Sequence, residues 1–203
     1  MTRIPVLDPD DMDTAQRAIH DRILGDGGRI GFGPAIGYAY SGPVWDQHNK
    51  SSAHLLDCSL TNLQVRIVSL MTVRHWKAAY PWSAQAKTAV KAGLSLDIIE
   101  AINDGQQPDF ENAEDAAVHA ATKELLETGN LSEDGFRAAE ETLGYQRLVE
   151  LVGAIGHFCT DGIGPLGYSK EVTFCVNTAN TGEKFFAQPV SVPKGKLASR
   201  DTR

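Results

Sequence analysis

Residues 63–76 constrain this chain more than any other stretch. Leu63, Val65, Ile67, Val68, Leu70, Met71, Val73 and Trp76 fall on nearly every side of a helix wound through the segment. A surface helix keeps one polar face, whereas a helix that is apolar all round belongs inside other protein or lipid. No apolar run in the chain reaches the roughly 18–20 residues that a membrane span needs. The segment is therefore expected at the centre of a helical bundle.

The flanking sequence supplies helices to surround it. Asp10 to Leu24 is an acidic amphipathic helix with Ala15, Ala18, Ile19 and Ile23 at helical spacing, stopped by Gly25. Gly42-Pro43 opens a second helix, running to about Cys58. Trp82 to Ala92 follows the central helix and ends at Gly93. Ser95 caps Leu96 to Ile102, and Asn112 caps a helix reaching about Thr128 with Glu114 and Asp115 in its first turn. Ser132 caps a helix that ends at Gly144, and Tyr145 to about Phe158 places Leu148, Leu151, Val152 and Ile155 at core spacing. The expected fold is all-α, with about eight helices and short connections. Three regions follow: 1–42 (N-terminal helix and glycine-rich loop), 43–164 (helical domain) and 165–203 (extended arm). Within the arm, residues 172–176 alternate as a short strand or extended segment would.

Charge and cysteine usage exclude several function classes. With 19 Lys+Arg against 26 Asp+Glu, the net charge of −7 argues against non-specific binding to nucleic acid or an anionic membrane surface. Cys58, Cys159 and Cys175 are odd in number, widely spaced and without a CxxC, so neither a disulfide framework nor a structural zinc site is expected. A reducing compartment and, with no apolar segment behind Met1, a cytoplasmic location are the simplest expectation. The glycine-rich loop 25–34 lacks the Lys of a phosphate-binding P-loop, and it follows a helix rather than a strand.

Three stretches in order carry a family resemblance. They are Arg74-His75-Trp76-Lys77-Ala78-Ala79-Tyr80-Pro81-Trp82-Ser83-Ala84-Gln85; Ala89-Val90-Lys91-Ala92-Gly93-Leu94-Ser95 with Ile98-Ile99-Glu100-Ala101-Ile102; and Leu148 to Phe158. Together they resemble the carboxymuconolactone decarboxylase and alkylhydroperoxidase-like family over roughly residues 43–164. The resemblance implies an all-helical, oligomeric protein, a homotrimer or homohexamer. The family's usual site does not carry over. Where its peroxidase branch has a glutamate, two cysteines and a histidine, this chain has Arg66, Ala78, Pro81 and Gln85. Disulfide-based peroxide reduction needs a low-pKa thiolate and a resolving thiol, and neither Ala78 nor Pro81 supplies one.

The substituted positions suggest a remodelled site. An unpaired guanidinium is costly to bury, so Arg66 must meet a carboxylate, reach solvent at a pocket, or hold an anionic ligand. As a ligand-binding group it would clamp a substrate carboxylate, with Arg74 a weaker candidate. Gln85 can orient a carboxylate or carbonyl but not move a proton readily. His75 or Tyr80 would transfer the proton, and Trp82 would line the pocket. The expected activity is a cofactor-independent decarboxylation, or a related lyase or isomerase step, on a small carboxylated cyclic or unsaturated substrate. A non-catalytic binding protein on the same scaffold is the alternative, and a thiol peroxidase using Cys159 a third. No metal is expected: His48 and His54 lie six apart, and no pair of histidines has helical ligand spacing. His20 and His119, isolated on acidic helices, are expected to face solvent.

Overall fold

Ten consecutive residues of the central helix, Gln64 to Val73, are buried, which is the outcome its all-round apolar pattern demands. The structure, a computed structural model, describes residues 4–28, 30, 31 and 33–162. Those residues form eight α-helices and no strand: α1 (Thr14–Gly25), α2 (Ala35–Tyr38), α3 (Gly42–His54), α4 (Asn62–His75), α5 (Ala79–Lys91), α6 (Leu96–Asp104), α7 (Ala113–Thr128) and α8 (Glu133–Gly162). A 3-10 turn, Pro9–Asp11, precedes α1. α4 packs against α5, α6, α7 and α8, while α1 and α2 lie on α3. No helix among the described residues is long and apolar enough to cross a membrane. The extended arm 165–203, with its segment 172–176 and Cys175, falls outside the described residues.

Local chemistry sets the helix ends. Thr61 Oγ1 accepts from the Gln64 amide at 3.2 Å while Gln64 Oε1 accepts from the Thr61 amide at 3.0 Å, a reciprocal cap that satisfies two orphan donors. Ser95, Asn112 and Ser132 each accept from a backbone N–H of the following turn, as expected of them. α1 starts later than Asp10, because Asp13 and Gln16 form their own capping box. α5 starts earlier than Trp82: Lys77, with φ 55°, turns the chain directly out of α4. Pro81 then sits in the first turn of α5, where its missing N–H would have no helical partner in any case. Gly144 breaks α8 into two runs with φ 73° and ψ 167°, a left-handed φ that glycine adopts without a Cβ penalty.

Three expectations are corrected by packing. His20 and His119 are buried, not solvated. α7 is flanked by both α4 and α8, so its buried arc is wide enough to take in His119 beside Val118. Val152, expected in the core, is 54% exposed, and Val149 three residues earlier is 72% exposed. The inward side of α8 is held instead by Leu148, Leu151, Ala154, His157 and Phe158. The α2 turn inside the N-terminal region has no counterpart in the sequence reading, since Pro34 and the surrounding glycines mark the segment as loop.

Candidate functional site

Arg66 is 8% exposed in the middle of α4. Its Nη1 donates to Gln85 Oε1 at 3.1 Å, and its Nε is buried without a partner among the described residues. No carboxylate there pairs with it, and burial pushes its pKa down from the ordinary arginine value. Elsewhere the chain pairs a structural guanidinium differently. Arg147 grips Glu114 with two hydrogen bonds of 2.7 and 3.0 Å and donates two more to the backbone carbonyls of Leu143 and Thr142. The buried amide of Gln64 is likewise engaged, by Thr61 and by Asp115 Oδ1 at 3.0 Å. Arg66, with one neutral amide among the described residues, is the exception. Spare donors on a buried cation are what a planar anion such as a carboxylate would satisfy.

The structure therefore brings Arg66 and Gln85 together, from adjacent helices. Trp82 is buried on α5. Tyr80, half-buried, packs its ring over the glycine-rich loop so closely that a Cβ on Gly33 would come within 2.9 Å of its Cε1; Gly33 has φ +61°. Arg74 and His75 are not brought to Arg66. Eight and nine residues further along α4, they lie roughly 12–13 Å up the axis. Arg74 Nε is engaged at 2.6 Å by the Asn103 carbonyl, and exposed His75 stands edge-on to Trp76.

His157 lies within electrostatic reach of Arg66. Burial, then His48, then Arg66 push the His157 pKa down to about 4, so it is neutral at neutral pH. His157 does not serve as a base for Cys159: its Nδ1 is 3.1 Å from Ser51 Oγ, while Cys159 Sγ accepts from the Trp76 indole at 3.2 Å. Residues two apart on a helix face different ways. Cys58 and Cys159 are both free thiols.

His157 stacks on His48 of α3 with ring centroids 4.4 Å apart, and Tyr38 of α2 lies on the other side of His48, also at 4.4 Å. His48 Nε2 is 3.6 Å from Asp161 Oδ1, and the Tyr38 hydroxyl donates to the same oxygen at 2.9 Å. Burial holds His48 below, and Asp161 and Tyr38 above, their ordinary pKa values. The group opens on a cavity of about 200 Å³ lined by Trp45 and Ile23 on its apolar side and by Tyr38, His48, Asn49 and Asp161 on its polar side. In the sequence His48 stands six positions from His54 and His157 two from Cys159, and nothing local joins both to Asp161 as one cluster. The four-residue spacing of His157 and Asp161 was the available signal, since it sets both on one helix face; the contribution of His48 depends on α3 packing against α8.

No protein-family model matches this chain, and no curated protein matches it. The described residues define a class only: an all-helical fold with a buried, incompletely satisfied arginine and a histidine-rich cluster within its electrostatic reach.

Proposed function

We propose that the chain is an enzyme that transfers protons on a small carboxylated substrate, as a decarboxylase or a related lyase or isomerase. Arg66 holds a substrate carboxylate and Gln85 orients it. His157, neutral and within electrostatic reach of the cation, serves as base. Loss of CO2 or of a proton leaves an electron pair on carbon, and a carbonyl or enone conjugated to that carbon within the substrate takes it up. The observation that supports this reading is the buried Arg66 guanidinium, whose one hydrogen-bond partner among the described residues is an amide. The resemblance to the carboxymuconolactone decarboxylase-like family favours the same class of substrate. Small unsaturated and cyclic carboxylates incubated with the protein in deuterated water, followed by NMR, should show CO2 loss or deuterium uptake for at least one compound. Arg66→Met should slow that turnover about 100-fold, the scale of a lost charge-assisted pair of hydrogen bonds. A variant that turns over at the wild-type rate would remove the clamp.

The same reading carries a homo-oligomer. Tyr145, Val149 and Val152 are exposed apolar residues at helical spacing on α8, with Gly156 continuing the row, and an exposed apolar row of this kind suits a subunit contact. Sedimentation should give three or six times the mass of one chain, and Val149→Glu should shift it towards one. A wild-type monomer would count against the assembly.

A further inference from the structure

We infer that His48, His157 and Asp161 form a binding site for a first-row divalent transition-metal ion. One nitrogen from each histidine and one carboxylate oxygen lie within 4.8 Å of one another. Around one tetrahedral zinc with bonds of about 2.0–2.2 Å, ligand atoms stand about 3.3–3.6 Å apart. The His48–Asp161 separation of 3.6 Å meets that spacing, and the widest pair, within 4.8 Å, closes by about 1–1.5 Å through side-chain rotation.

The groups around the three residues suit this role. His48 Nδ1 faces Thr160 Oγ1 at 3.3 Å and His157 Nδ1 faces Ser51 Oγ at 3.1 Å. Both rings are thus engaged at Nδ1, leaving Nε2 as the ligating nitrogen, the outer-shell pattern of ligating histidines. Tyr38 steadies the carboxylate by donating to Asp161 Oδ1. Two imidazoles and one carboxylate select zinc, iron(II), cobalt(II) or manganese(II) over magnesium or calcium, which favour all-oxygen shells. The set supplies three protein ligands, two of which, His48 and Asp161, line the cavity, so further positions remain for water or substrate, as in catalytic rather than structural sites. Arg66 acts against the ion through its reach to His157; the Asp161 carboxylate offsets it. A bound ion would take up the His157 nitrogen otherwise available as base and would supply an acidified water in its place. Metal binding itself does not rest on the carboxylate reading of Arg66.

The test is titration of tag-free, metal-stripped full-length protein with cobalt(II), read by visible absorption, and with zinc(II) in competition. One ion per chain should bind, with cobalt bands that zinc abolishes. His48→Gln and Asp161→Asn should each weaken cobalt at least about 100-fold, with circular dichroism confirming retained helix. Should either fail to fold, Ser51→Ala, which removes only an orienting hydroxyl, should weaken binding about 10-fold. Arg66→Met should bind cobalt as tightly as wild type or more tightly while losing turnover, which separates the metal site from the carboxylate clamp. Wild-type protein that binds no cobalt, or binding unaltered by these ligand and hydroxyl replacements, would overturn the site.

Discussion

Replacing Arg66 with methionine will make the protein more stable. Among the described residues, the guanidinium lies in the longest buried run and has one neutral partner and a partnerless Nε. Methionine has a similar length and fills the same space without a desolvated charge. Exchanging a buried charge for a packed apolar side chain is worth about 1–4 kcal/mol in favour of folding. For a chain of this size each kcal/mol raises the melting temperature by about 2–4 °C. Calorimetry on the two proteins at neutral pH should therefore show the variant melting several degrees higher. A drop of about 3–5 kcal/mol would instead mean that Arg66 completes an ion pair whose other member is left stranded. A residue that costs stability where it stands is retained at functional sites and not for the fold, which is why the stability gain and the loss of turnover belong to one hypothesis.

The acid sensitivity of the fold should trace in part to His119. It is 3% exposed on α7, its Nδ1 has no partner among the described residues, and its ring lies 5.4 Å from that of Phe110. Burial, with Lys123 adding, pushes its pKa down from 6.5 to about 4. Between these values the unfolded chain takes up a proton that the folded chain refuses. Stability from this residue is therefore complete above about pH 6.5, falls as the pH drops towards 4, and falls no further below that. A shift of this size corresponds to a few kcal/mol. His119→Leu should flatten the acid limb by one proton's worth of slope, measured as unfolding free energy in urea from pH 4.5 to 7.5. Curves that stay parallel over that interval would show that His119 does not carry the dependence.

What the sequence made legible was local. The pattern of residues 63–76 placed α4 at the centre, and Ser95, Asn112, Ser132 and Gly144 marked ends that the backbone honours. Arg66 and Gln85 meet because α4 and α5 are adjacent helices. What escaped was set by packing between distant segments. His48 and His157 are 109 positions apart and meet because α3 lies on α8. His119 looked solvated because its own helix is acidic; its burial comes from α4 and α8 on either side. Arg74 and His75 looked like site residues because they adjoin the motif in the chain, but the rise of the helix carries them away from Arg66.

If Arg66 is held ready for a carboxylate, turnover of small unsaturated and cyclic carboxylates should separate wild type from Arg66→Met when both are shown by circular dichroism to be folded. Wild type should convert at least one such compound, and the folded variant should convert it about 100-fold more slowly. Equal rates for the two proteins would mean that Arg66 does not hold the substrate.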